Sequence, residues 1–210
     1  MSDVLFARPA DDAGAIELAD WASQLRAAAV DPWVDLDGAA AQVTRNALDA
    51  ELTASPKALV WFGHGEPDAL VASGARVLDS GNVGPLSGAL VIAIACDAGL
   101  QLAGDALDTG VRAFLGFTRM FGFSALDPQP VRTAVVGGLM GFFTLGHDLA
   151  SAEQRLIAGF LAAEAYHYAQ GTSGGWATPQ GAPSDALLAW LFAQSNRVNL
   201  VVVGDVSASL

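Results

Sequence analysis

The segments KALVWFGHGEP (Lys57–Pro67) and ALVIAIACDAG (Ala89–Gly99) decide how this chain folds. Each opens on an unbroken apolar run, Ala58–Phe62 in the first and Leu90–Ala95 in the second. Runs without alternation fit strands buried on both faces, as in a parallel sheet with helices packed on each side. Each run then breaks into small, flexible backbone: Gly63-His64-Gly65 after the first, Cys96-Asp97-Ala98-Gly99 after the second. Open α/β sheets gather their chemistry beyond the carboxyl ends of such strands. The only cysteine and the first of three histidines are therefore expected on one sheet edge.

Taken singly, neither residue says much. A lone cysteine in apolar surroundings usually serves as a small buried hydrophobe, and an isolated histidine is more often structural than catalytic. Position separates these two from that background. Both sit at a strand exit beside glycine or another small residue, where the backbone turns sharply and a substrate can approach main-chain amides. A thiol needs a neighbouring base to react as a thiolate near neutral pH. Imidazole is the side chain best matched to that task.

With those residues in that order, the chain resembles the caspase-like (clan CD) cysteine peptidases: caspases, metacaspases, gingipains, separase and the bacterial CHAT domains. The resemblance rests on Trp61-Phe62-Gly63-His64-Gly65, on Ile94-Ala95-Cys96-Asp97-Ala98-Gly99, and on the polar hairpin between them around Ser73-Gly74. Gly110–Phe117 looks like the helix-then-strand that follows the nucleophile in CHAT domains, to which the likeness is nearest. It runs from about residue 3 to 121 and fades beyond. It implies an α/β/α sandwich with a mostly parallel central sheet, and one domain over 1–210 with its core at 3–121 and a helical part plus last strand at 130–205.

The resemblance also implies a chemistry: hydrolysis of peptide bonds in a protein or peptide substrate through a thioester. Cys96 is the expected nucleophile, His64 the acid–base, and the backbone amides of Gly65 and Cys96 the oxyanion hole. Relatives place substrate specificity at the exit of the first strand and just before the nucleophile, which here nominates Arg8 and Ile94; Asp97 beside the nucleophile and Arg119, at the exit of the strand after the nucleophile helix, are the further candidates. Ile94 stands where relatives that cut after Arg or Lys often carry an acid. An activating partner protein is expected, and no cofactor or metal. Two other readings stand beside this one: a catalytically inactive scaffold or interaction module, and a small-molecule hydrolase or nucleotide-binding domain of flavodoxin-like type.

Composition bounds these readings. The chain has 210 residues, enough for one full core. Apolar residues make up 52% and charged residues 15%, which argues against disorder. A net charge of −12, with a single lysine, disfavours nucleic acid and anionic membranes as partners. The start carries no basic, secretory-type leader, and the most apolar segment, Ala134–Gly146, is shorter than a membrane span. One cysteine allows no internal disulfide; a reducing bacterial cytoplasm is the expected setting.

Along the rest of the chain, Val4–Ala7 reads as a strand and Asp11 or Asp12 as the cap of a helix reaching Val30. Trp33, Val34 and Leu36 suggest a strand, and Asp37-Gly38 a turn into a helix ending near Leu52. Asp35–Gly38 lacks the later ligands of a calcium loop. Helices are expected at 100–111, 133–145, 151–170 and from Ser184 or Asp185 to Ser195, and strands at 113–117 and 198–203. Gly171–Pro183 reads as a Gly/Ser/Pro-rich loop. His147-Asp148 is expected to be solvated or capping, and Glu164/His167 an exposed helical pair rather than a metal half-site. There is no Walker-type loop and no dinucleotide-binding glycine motif.

Overall fold

A computed structural model describes residues 3–39, 41–178 and 181–210. In chain order it contains β1 (Val4–Arg8), α1 (Ala13–Ala28), β2 (Trp33–Asp37), α2 (Arg45–Leu52), β3 (Ala58–Phe62), β4 (His64–Glu66), β5 (Ala69–Ala72) and β6 (Ala75–Asp79). A 3-10 turn at Gly84–Leu86 follows, then β7 (Leu90–Ile94), α3 (Leu102–Asp108), β8 (Ala113–Phe117), α4 (Gln129–Leu145), α5 (Leu149–Gly174), α6 (Asp185–Asn199) and β9 (Leu200–Gly204).

Six strands form one sheet in the order β2-β1-β3-β7-β8-β9. All neighbours are parallel except β9, which runs antiparallel to β8. The apolar runs explain the sheet. Alternate residues of each strand feed two separate cores, as the two-residue period of a strand requires. Phe6, Val60, Phe62, Ile92, Ile94, Leu115 and Phe117 pack with α1, α4 and α5 on one face. Leu5, Leu59, Trp61, Val91, Ala93 and Phe114 pack with α2, α3 and the hairpin strands on the other. Helices therefore cover both faces, as expected for this fold class.

A second sheet, β4-β5-β6, is antiparallel and stands over the second face. Its tip is Ser73-Gly74, with φ of 50° and 73°. Positive φ at both central residues is the type I′ pattern, whose twist matches that of the flanking strands. Helix starts follow local capping: the side chains of Asp12, Thr44, Asp148 and Ser184 each accept a backbone N–H of the first turn.

Boundaries differ from the sequence expectations at several elements: α4 starts at Gln129 rather than 133, and α3 spans only Leu102–Asp108. The helix before Leu52 starts at Arg45 under its Thr44 cap, not just after Gly38. α5 runs on to Gly174, through residues expected in a loop. α6 runs to Asn199, so the last strand begins at Leu200. Pro179 and Gln180 of the expected 171–183 loop lie outside the described residues. Among the described residues, no helix is long and apolar enough to cross a membrane.

His167 is also a correction, because it is buried at 2% exposure rather than solvated. Its Nε2 has no hydrogen-bond partner, while Glu164 is paired with Arg197. Burial pushes the His167 pKa down, against a smaller upward pull from Asp127. The folded protein thus binds this proton less tightly than the unfolded chain. Its contribution to stability is present above the ordinary imidazole value of 6.5 and is lost as pH falls below it. His167→Leu is expected to raise stability by about 1–2 kcal/mol and to flatten the loss between pH 7 and 5 in denaturant melts.

Candidate active site

Four strand exits line up along one sheet edge, because β1, β3, β7 and β8 are consecutive neighbours. β1 leads to Asp11 and Asp12, β3 to His64, β7 to Cys96, and β8 to Arg119 and Phe121. Register fixes the central pair. Phe62 is opposite Ile94, and the Gly63 N–H donates to the Ile94 carbonyl at 3.2 Å. His64 and Cys96 therefore each stand two residues beyond one register pair, on strands about 4.8 Å apart.

Gly65 brings the two segments closer still. A Cβ at this position would press into the Cys96 carbonyl oxygen and lie 3.0 Å from the Ala95 Cβ. Only a residue without a side chain lets the backbone after the histidine run along the backbone of the cysteine.

Cys96 is half-buried against the first core. Its thiol donates to the Phe121 carbonyl at 3.5 Å. Burial pushes the thiol pKa up, and the nearby Asp97 charge adds to the shift. At rest, then, this is a neutral thiol rather than a preformed thiolate. The turn after it is tight: the Ala98 N–H donates to the Cys96 carbonyl at 2.6 Å across Asp97, whose φ is 56°. A left-handed non-glycine residue costs on the order of 1 kcal/mol and persists where its surroundings hold it. Here the Asp97 N–H donates to the Arg119 carbonyl at 3.1 Å, and the Asp97 carbonyl accepts from Leu100 at 2.8 Å.

The His64 side chain is 42% exposed, and its Nε2 lies 2.9 Å from Asp12 Oδ2 and 3.7 Å from Asp11 Oδ1. Its carbonyl accepts from Trp61 Nε1 at 3.0 Å, which pins the main chain to the buried indole. Each carboxylate is anchored by its other oxygen. Asp12 Oδ1 accepts the Ala15 N–H at 2.8 Å as the cap of α1, and this bond holds its carboxyl below the usual carboxylate range. Asp11 Oδ2 accepts the Ser73 N–H at the hairpin tip. The imidazole therefore has an anchored acidic partner that the sequence did not announce.

The sequence-nominated residues divide. His64, Gly65, Cys96, Asp97 and Arg119 share the edge, although among the described residues no hydrogen bond joins the His64 ring to the Cys96 thiol. Arg119 is exposed and makes no ion pair among the described residues. Arg8 does not offer its side chain to a substrate. It is 6% exposed, and its guanidinium is spent on Asp35 in a two-point contact, on Asp37 and on Ser23. Ile94 is fully buried among core side chains and cannot line a cleft. Asp148 caps α5, as expected of a capping residue.

Two depressions border the edge. A cleft of about 210 Å³ lies between Pro9, Asp11, Gln42 and Ser73. An apolar groove of about 470 Å³ runs from Met120 along Leu191, Phe192 and Val198. Among the described residues, Asp11, Asp12 and His64 form a group that could hold a metal ion, with ligand atoms within 4.8 Å of one another.

No protein-family model matches this chain, and no curated protein does. Solved structures do. One described as "Structure of Protease" superposes with a TM-score of 0.62 at 12% identity, over 99% of this chain and 48% of the other. The Arg-specific cysteine proteinase gingipain R (RgpB) gives 0.54 at 13% identity, over 100% and 47%. The complex of the pro- and mature domains of Porphyromonas gingivalis RgpB gives 0.52 at 14%, over 99% and 48%. The fold is caspase-like. At such identities the likeness speaks for the fold alone, and the chain spans about half the length of the solved chains it matches.

Proposed function

We propose that this chain is a cysteine peptidase of caspase-like type that cleaves peptide bonds in a protein substrate with Cys96 and His64. The observation that carries the reading is the equal placement of these residues beyond the Phe62–Ile94 register pair, with Gly65 against the Cys96 backbone. Its similarity in fold to cysteine proteinases supports the same reading.

In the proposed reaction Asp12 holds Nε2 of His64, which leaves Nδ1 with the lone pair. Nδ1 accepts the Cys96 proton as sulfur attacks the scissile carbonyl, since a thiol with a raised pKa needs a base during the step. The Cys96 N–H has no acceptor outside its own residue among the described residues, so it is available for the oxyanion; the Gly65 N–H is the second donor of the proposed hole. Nδ1 then protonates the leaving amine, and water hydrolyses the thioester. An activating partner fits a resting state in which the thiol donates to Phe121 instead of to His64.

Arg8 leaves the specificity assignment; Asp97 remains the charged group beside the thiol, and Arg119 an exposed charge on the same edge. Peptidyl acyloxymethyl ketones that differ in the residue before the warhead test the whole reading. Mass spectrometry is expected to find one adduct, on Cys96, with a dependence on that residue. Adducts spread over nucleophiles other than Cys96 would remove the assignment.

A further inference from the structure

We propose that Asp11, Asp12 and His64 form a binding site for a divalent transition-metal ion of the zinc type, and that its occupancy holds the proposed peptidase off. The second half rests on the peptidase reading; the first does not.

The three donors come from two different strand exits, and their free atoms converge. His64 Nε2 is 2.9 Å from Asp12 Oδ2 and 3.7 Å from Asp11 Oδ1. All three ligand atoms fall within 4.8 Å of one another. Zinc bonds of about 2.0–2.2 Å to nitrogen and oxygen put tetrahedral ligands roughly 3.4 Å apart. At that spacing the Asp12 contact opens by a few tenths of an ångström, the Asp11 contact closes by as little, and the two carboxylate oxygens, which lie within 4.8 Å of each other, come to the same separation.

The carboxylates are also oriented from outside the set, as ligating groups in metal sites are. The Ala15 amide fixes Asp12 and the Ser73 amide fixes Asp11, each through the oxygen that does not face the imidazole. The two anchors come from α1 and the hairpin tip, so the donors are positioned before any ion arrives. The His64 side chain is 42% exposed, so solvent reaches the set and can complete the coordination shell.

Donor chemistry selects the ion. An imidazole nitrogen disfavours calcium and magnesium, which take oxygen ligands, and suits zinc. The amino end of α1 opposes a cation with roughly half a unit of positive charge. Two carboxylates outweigh it, on a chain whose net charge is −12.

Occupancy has a direct chemical consequence. The ion takes the Nε2 lone pair, so the proton that Nε2 shares with Asp12 moves to Nδ1 in the neutral ring. Nδ1 then has no lone pair for the Cys96 thiol, and the proposed base is silent. No bond to the substrate is made or broken in this step.

Calorimetric titration of the 210-residue Cys96→Ala chain with zinc chloride separates the two halves, because that variant binds without any peptidase chemistry. One ion per chain is expected, with Asp11→Asn and Asp12→Asn each weakening binding on the order of tenfold or more. Asparagine still caps a helix and still accepts an amide proton, so both variants keep their anchors. Absence of binding, or binding that both variants retain, overturns the site. In the parent chain, zinc at saturating level is expected to suppress alkylation of Cys96, and chelation to restore it. Alkylation indifferent to zinc in a protein that binds one ion overturns the regulatory half.

Discussion

Replacing Cys96 by alanine is expected to lower peptide cleavage by about 10⁴-fold or more, the loss seen when a covalent nucleophile is removed. The fold should survive. Cys96 is only half-buried, and the thiol makes one weak hydrogen bond, to the Phe121 carbonyl at 3.5 Å. A melting temperature within a few degrees of the parent is therefore the control. His64→Ala should cost nearly as much, and the double variant no more than either single one, because the two act as one unit. Additive losses would place them in separate roles. The carboxylate behind the histidine should count for less: Asp12→Asn leaves the cap of α1 but removes the charge that favours the imidazolium formed during the reaction.

Arg8→Met is the second large effect, and it falls on stability rather than on substrate choice. The guanidinium sits at the end of β1, where the parallel register sets Arg8 opposite Asp37. It donates through Nε to Asp35 Oδ1 at 2.9 Å, and through Nη2 to Asp35 Oδ2 and Asp37 Oδ2, both at 2.7 Å. Arg26 also binds Asp35, and lies over the Trp33 ring at 4.8 Å. Removing Arg8 leaves Asp35, which is 11% exposed, with Arg26 as its one cation, and losing these charged hydrogen bonds costs about 1.5–3 kcal/mol. Denaturant melts should show that loss. Adduct formation with the peptidyl ketones should keep the same residue preference wherever the variant is folded.

Much of the fold was legible because the strands are continuous apolar runs bounded by glycine, proline and aspartate. β3, β7 and β8 each follow from a run too apolar for any surface. The edges of the helices were less legible. Asp37-Gly38 looked like the start of a helix, yet Thr44 supplies the cap. Gly171 to Gly174 read as loop, but α5 continues through them, with Gly171 buried where Trp176 closes on the helix.

The placement of His64, Cys96 and Gly65 at neighbouring strand exits was legible. The acids behind His64 were not, because their contact spans more than fifty positions and depends on β1 lying next to β3. Arg8 misled for the same reason. Nothing local announces that Asp35 and Asp37 of the neighbouring strand consume its charge. Ile94 shares the parity of Cys96, but α-helices cover that face of the sheet until the strand ends. Sequence spacing gives the face of a strand; the packed neighbour decides whether that face is open.

The central claim is that His64 acts on the Cys96 thiol, and alkylation of Cys96 by iodoacetamide across pH tests it most directly. Burial raises the thiol pKa, so a thiol acting alone reacts appreciably only above the usual thiol range. The parent is expected to react faster than His64→Ala at neutral pH, with the two profiles converging once the thiol ionises by itself. Profiles that superimpose from pH 6 to pH 10 would contradict the dyad.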